Sequence, residues 1–432
     1  MTRKAERAAE GPALDPASLF RRLADRRGLV LAVSGGPDST ALMLLVARWR
    51  ARPPVIVASV DHGLRPQSAA EAEMVAENAG RLGLACRILK PPERFAGGNL
   101  QDWARRVRYG CLAALAREAG FETIVTAHHR EDQAETFLLR LARGSGVYGL
   151  AAMPQESAVE GVDLVRPLLH VPRATLQAIA VESGLPLVAD PSNADPRFDR
   201  VRLRSFMPAL AAHGLTAGRL AETAGRLQRA AAALDHYTKS FLQERFKVDS
   251  FGMVGGPPGA FSEVPEEVGL RALALILKDV GGADYTPRLE SVEAVYAAIL
   301  EAGPDAALRR TLHGVVIAVR GGRLTARREW GRGGLAETAA QPGATLLWDS
   351  RFRVEVPRLT GALGVGPLGR SERRLRSPRA DRGTLQALPG LYRDGTLIAV
   401  PESVFAADRG APLDSLAVKC VVGQGLGLAA PP

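Results

Sequence analysis

Six consecutive residues, Ser34-Gly35-Gly36-Pro37-Asp38-Ser39, carry the strongest chemical signal in the chain. Two glycines let the backbone turn tightly and let a ligand come close with no Cβ in the way. The amides that open the following helix, with its dipole behind them, favour an anionic phosphate. Ser34, Ser39 and Thr40 add hydroxyl donors, and Asp38 adds a carboxylate suited to a hard cation such as Mg²⁺. The Lys of a Walker A loop is missing. An ordinary Gly-Pro turn, with Asp38 or Ser39 capping a helix, explains fewer of these residues. A second group is Thr126-Ala127-His128-His129-Arg130-Glu131-Asp132-Gln133-Ala134-Glu135-Thr136. Asp132 and Thr136 stand four apart and share a helix face, with Glu135 beside them. The two imidazoles titrate near neutral pH and suit proton transfer or phosphate contact. One of the pair is expected to point inward as a structural residue.

These residues need a scaffold, and the first half of the chain supplies one. Apolar β-type runs at 29–33, 55–60, 86–89, 123–126 and 164–168 alternate with helical stretches near 40–48, 100–118 and 132–142, and with a helix opening near Pro172. Alternation of this length predicts an α/β fold with a doubly wound, mainly parallel sheet. Ligands in such sheets sit beyond the carboxyl ends of the strands, where both groups fall. We expect an N-terminal extension over 1–26 and a catalytic domain over 27–212. A small, mainly helical domain over 213–330, with a hairpin at 311–327 turning on Gly321-Gly322, and a small α+β unit over 344–432 should follow. The Gly-rich stretch 330–343 reads as a linker. Hydrophobic residues make up 46% of the 432, enough to build these cores, and the net charge of +10 makes a polyanion a candidate partner. Three scattered cysteines with no C-x-x-C argue against a zinc ribbon or a redox dithiol. The first 27 residues read as neither a signal peptide nor a membrane span, so the expected location is the cytoplasm, with no membrane partner.

Ser34-Gly-Gly-Pro-Asp-Ser39 resembles the PP-loop of the ATP pyrophosphatases, which release pyrophosphate while adenylating a substrate. Further segments narrow the resemblance: Val60-Asp61-His62-Gly63-Leu64-Arg65, Ala104-Arg105-Arg106-Val107-Arg108-Tyr109, the His128-His129 segment above, Arg143-Gly144-Ser145-Gly146, and Asp190-Pro191-Ser192-Asn193 followed by Phe198 and Arg200-Val201-Arg202-Leu203-Arg204. In this order they resemble the tRNA(Ile)-lysidine synthetases, strongly over about 27–210 and weakly beyond. The resemblance implies an ATP- and Mg²⁺-dependent ligase acting on an isoleucine tRNA with a CAU anticodon. The wobble cytidine O2 attacks the α-phosphate, pyrophosphate leaves, and L-lysine displaces AMP at C2 to give lysidine.

On that reading Ser34 to Thr40 and His62 bind ATP, and Asp38 also holds Mg²⁺. Asp38, Asp132, His128 and Glu135 are the catalytic candidates. Arg105 or Arg108 would clamp the lysine carboxylate bidentately. Asp132, Glu135 and Thr136 would receive the ammonium, help strip its proton, or share the metal. Arg200, Arg202 and Arg204, alternating along a strand or fanned over a helical turn, would face tRNA phosphates. Helix-dipole compensation by the acids and a solvated face for the arginines are the plainer readings. A thiolase-like PP-loop enzyme lacks its paired cysteines here. A non-catalytic RNA-binding protein on the same fold would not need Asp38, Asp132, Glu135 and both histidines.

Overall fold

Four apolar runs become the centre of a six-stranded sheet. The computed structural model describes residues 14–92, 95, 97, 99–189, 197, 199–283, 285–303, 307–369, 375–377, 380–402, 404–406 and 414–428. β1 (Leu29–Ala32) lies between β2 (Val55–Val60) and β4 (Thr123–Val125), with β3 (Ala85–Leu89) beyond β2, all parallel. A hairpin of β5 (Glu156–Val159) and β6 (Val162–Val165) completes the sheet, β6 parallel to β4 and β5 antiparallel at the edge. The fifth strand thus ends at Val165 rather than Leu168. The half-exposed β5 has no long apolar run to announce it.

Strand side chains alternate between the two faces. Leu29 and Leu31 pack with Leu42, Leu45, Val57 and Leu176 on one side, while Val30 packs with Tyr109, Leu112, Ile124 and Leu164 on the other. The covering helices are α1 (Pro37–Arg48), α2 (Ser68–Arg81), α3 (Leu100–Glu118), α4 (Arg130–Leu141) and α5 (Arg173–Glu182). α1 is buried continuously from Ser39 to Val46, so the turn that feeds it stands on a fixed base. α6 (Asp199–Ala212) and the long α7 (Ala217–Arg245) follow.

The chain divides into two compact units, Met1–Ala231 and Ala232–Pro432. The division falls inside α7 rather than at residue 212. The first half of α7 packs within its own unit: Leu220 and Ala224 bury against Ala134, Phe137 and Ala152. Gln228 also donates to the carbonyls of Ala151 and Met153 at 2.9 and 2.8 Å.

In the second unit, helices Glu266–Val280 and Leu289–Glu301 bury Leu273, Ile276, Leu277, Val292 and Ile299 in one core with Val315, Ile317, Val319, Leu324 and Ala326. Those last five come from a five-stranded antiparallel sheet. The expected hairpin is present, Arg320 facing Arg323 across the Gly321-Gly322 turn, and strands Leu308–Leu312, Val254–Gly256 and Lys247–Val248 widen it. Strand Thr338–Ala340 draws part of the expected linker into a second sheet with Leu363–Pro367, Pro389–Arg393, Thr396–Pro401 and Asp414–Leu416.

The hairpin of Thr345–Trp348 and Phe352–Glu355 turns on Asp349 and Ser350, both at positive φ. Asp349 accepts from Arg328 Nε and Nη2 at 3.1 and 3.2 Å, and from Arg351 Nε at 2.6 Å. Arg351 is 1% exposed, and its Nη2 donates to the Ala387 carbonyl at 2.7 Å. Asp349→Ala leaves this buried guanidinium without its counter-charge, at a cost of roughly 3–5 kcal/mol. The expected outcome is a lowered denaturant midpoint for the second unit; a loss below about 1 kcal/mol would refute the role given to the cluster.

Candidate active site

The loops leaving β1, β2 and β4 converge on a cavity of about 340 Å³ lined by Ser34, Gly36, Asp38, Ser39, His62, Arg108, His128, His129, Asp132, Arg173, Arg200 and Arg204, among others. A second cavity, of about 620 Å³, shares Ser34, Gly36, His62, Arg200 and Arg204 with it.

The two glycines of the turn do different work. Gly35 has φ +82°, and a Cβ there would meet Val188 Cγ2 at 2.5 Å, so the fold itself demands glycine. Gly36, with φ −68°, is the N-cap of α1, and its nearest neighbour in the direction of a Cβ is Ser34 Oγ at 3.9 Å. Nothing in the protein forbids a side chain there. The space lies over a helix N-terminus whose first amides have no intrahelical partner. Ser39 Oγ accepts from the Ser34 amide at 3.2 Å and donates to the Gly36 carbonyl at 3.0 Å, and Thr40 Oγ1 donates to the Gly35 carbonyl at 3.3 Å. These bonds hold the cradle open. Thr40 is wholly buried, so it braces the loop from behind.

Asp38 stands in the first turn of α1. Its Oδ2 lies 3.6 Å from His129 Nε2 and 3.5 Å from Arg173 Nε, while Oδ1 is buried with no hydrogen-bond partner. His129, only 3% exposed, caps α4; its amide donates to Asp132 Oδ2 at 3.0 Å, and its Nδ1 is 3.2 Å from Glu131 Oε2. Glu131 Oε2 also accepts from the Arg173 amide at 2.8 Å. Burial works to lower the His129 pKa, but Asp38, Glu131 and Asp132 outweigh it and raise it to about 9. His129 is therefore held as a cation at neutral pH, and it lines the cavity beside His128.

His128 is the opposite case. Burial, reinforced by Arg108, Arg166, Arg105 and Arg200, holds it well below the usual histidine range, so it is neutral. Its Nδ1 shares a hydrogen bond of 2.8 Å with Thr126 Oγ1. His62 is likewise pushed down by burial and by Arg108. The turn bearing it is fixed by Asp61, which accepts from Ser68 Oγ at 2.6 Å and from the Gly63 amide at 2.9 Å.

The remaining expected residues separate. Arg108 lines the cavity, whereas Arg105 is exposed; both guanidinium groups lie over the Tyr109 ring at 5.1 and 5.0 Å. Arg200, Arg202 and Arg204 fan out over α6, as on a helix. Arg200 and Arg204 face the cavity, while Arg202 pairs with Asp199. Glu135 is 2% exposed and paired with Arg204. Thr136 is buried, is not among the residues lining either cavity, and its hydroxyl has no hydrogen-bond partner. Asp190 to Asn193 and Phe198 lie outside the described residues. Arg173 was not anticipated; a lone arginine behind Pro172 has no local feature that ties it to Asp38.

Two outcomes follow from this geometry. Gly36→Ala should fold with an unchanged melting temperature yet lose at least about tenfold in ATP affinity, whereas Gly35→Ala should lower the melting temperature. Unchanged ATP binding in Gly36→Ala would remove the cradle from the phosphate's path. Because the His129 pKa is raised on folding, its stabilisation is complete below about pH 6.5 and is lost as pH rises through about 9. Unfolding free energy measured across that window should fall in the native chain and stay nearly flat in His129→Gln.

Residues 13–210 match the family model of the PP-loop domain. The tRNA(Ile)-lysidine synthase of Methylobacterium nodulans is 47% identical over 308 residues, 69% of this chain and 89% of that one. The enzyme of the same name from Ruegeria pomeroyi is 38% identical over 398 residues, covering 90% of this chain and 92% of that one. No helix among the described residues is long and apolar enough to cross a membrane. Likeness that runs through nearly the whole length of these relatives, over a PP-loop domain, means that the chain belongs to the tRNA(Ile)-lysidine synthase family of ATP-dependent ligases.

Proposed function

We propose that the chain joins free L-lysine to C2 of the wobble cytidine in the CAU anticodon of an isoleucine tRNA, in the cytoplasm, giving lysidine. The observation that carries this reading is one cavity wall holding a phosphate cradle, an unsatisfied carboxylate oxygen and a neutral imidazole among four arginines. The cradle of Gly36, Ser34 and Ser39 receives the ATP phosphates, and Arg108, Arg173 and Arg200 offset their charge. The cytidine O2 forms a bond to the α-phosphorus while the bond to pyrophosphate breaks. The lysine amine then attacks C2, AMP leaves with the former O2, and the amine's proton passes to a base. His128, neutral and facing the cavity, is the acceptor this geometry favours.

Mg²⁺ fits the buried, unpartnered Oδ1 of Asp38. Such an ion commonly takes one or two carboxylates, with phosphates and water completing the shell, and would neutralise charge on the leaving group. Among the described residues no group of three or more His, Cys, Asp or Glu is placed to hold a metal. Asp132 and Glu135 are assigned to the lysine ammonium and Arg108, with Arg105 behind it, to its carboxylate. Residues 213–330 and 344–432 are assigned to the tRNA body, on the chain's charge of +10 together with Arg219, Arg226 and Arg229. Sulfur transfer finds no support: the three cysteines are unpaired, and burial raises each thiol, Cys86 and Cys420 to about 11, away from the thiolate form.

The test mixes the protein with ATP, Mg²⁺, radiolabelled lysine and unmodified isoleucine tRNA bearing CAU. Label should enter the RNA only with ATP and should vanish when the wobble cytidine becomes uridine. Asp38→Ala should stop AMP release, by at least about a hundredfold, while tRNA still binds. AMP release on another RNA without lysine incorporation would move the assignment to a different modification.

A further inference from the structure

Arg204 occupies the place where the substrate's ammonium is expected. Its Nε lies 2.5 Å from Glu135 Oε1, its Nη2 3.3 Å from Glu135 Oε2, and that same nitrogen 4.0 Å from Asp132 Oδ1. The other Asp132 oxygen already accepts from the His129 amide. Glu135 is 2% exposed and lines neither cavity, whereas Asp132 and Arg204 both line the smaller one, so Arg204 stands between the cavity and Glu135. Two like charges cannot share one partly dehydrated acceptor pair without repulsion. An ammonium bound by Glu135 therefore competes with Arg204 for the same two oxygens.

The displaced side chain has somewhere to go. Arg204 lines both cavities, and both include Ser34 and Gly36 of the phosphate cradle. Its own helix, α6, has no buried residue; Met207, partly buried, is its contribution to the core beside α4. Such a helix shifts or re-orients a side chain at low cost.

We propose that Arg204 is an internal stand-in for the lysine ammonium, holding the Glu135–Asp132 site closed until ATP phosphates in the adjacent cradle draw the guanidinium away. The inference rests on the reading that these carboxylates receive lysine. Its consequence is order: nucleotide first, amine second. By linkage, ATP and lysine strengthen each other's binding by one common factor, transmitted through Arg204. Arg204 is thus a gating residue, and the arginine assigned from sequence to tRNA phosphates acts inside the site.

Calorimetric titration of lysine into the full chain, with and without an ATP analogue that cannot be cleaved between the α- and β-phosphates, tests this. The native protein should bind lysine about tenfold tighter with the analogue. Arg204→Gln should bind lysine tightly in both states, with the analogue's effect falling below about twofold. Added lysine alone should also raise the melting temperature of Arg204→Gln more than that of the native protein. If Arg204→Gln is too unstable to titrate, Arg204→Lys, whose shorter reach loosens the pair, should shift in the same direction. Glu135→Gln separates the two levels of the argument. Unchanged lysine affinity in Glu135→Gln means that the lysine site lies elsewhere, and both readings fall. Lost lysine binding in Glu135→Gln, with a native response to the analogue in Arg204→Gln, overturns the gate alone. Loss of lysine binding in Arg204→Gln with and without the analogue overturns the gate too, making Arg204 a support of the site.

Discussion

Asp38 reaches from the first turn of α1 to His129 at the start of α4, and the site is organised around that contact. β1 and β4 are neighbours in the sheet, so the loops that leave them lie side by side. A buried imidazolium is tolerable only when counter-charges surround it, and Asp38, Glu131 and Asp132 do so. Those carboxylates are held in turn by backbone amides: Glu131 by Arg173 at the head of α5, and Asp132 by His129 itself. One internal cation thereby fixes the starts of three helices relative to the phosphate cradle. Its neighbour His128 is pushed down instead by burial and by Arg108, so two adjacent identical residues acquire opposite protonation states.

Much of this frame was legible because it is local. An apolar run, two glycines, a proline and an acid in sequence specify β1, its turn and α1 from short-range rules alone. The helix at 100–118 was equally plain, its Asn99 accepting from the amides of Gln101 and Asp102 at 3.1 and 3.3 Å. What sequence could not give is the partner chosen across the fold. Arg173 meets Asp38, and Arg204 meets Glu135, only because the sheet order brings their elements together. Read by itself, Glu135 is an available acid beside Asp132; burial and a guanidinium alter that meaning without altering the sequence.

The second unit illustrates the same limit differently. Strand Thr338–Ala340 lies in a Gly-rich, polar stretch that composition assigns to a linker, and pairing with Leu363–Val365 makes it a strand. Its backbone hydrogen bonds, not its side chains, carry the assignment. The Arg328–Asp349–Arg351 cluster is likewise invisible as three scattered charges. It exists because a tight turn with Asp349 and Ser350 at positive φ aims one carboxylate at two guanidinium groups.

The basic side chains that line the cavity around the PP-loop, apart from the histidines, are Arg108, Arg173, Arg200 and Arg204, with no lysine among the described lining residues. For attraction of phosphate alone, lysine would serve almost as well. A guanidinium, however, stays protonated at any pH the protein survives and is a poor nucleophile, whereas a lysine amine loses its proton readily when desolvated. An activated cytidine awaiting an amine cannot distinguish a substrate's amine from one supplied by the wall. On the proposed reaction, a wall built from arginine supplies positive charge without offering an amine that could compete with the substrate's.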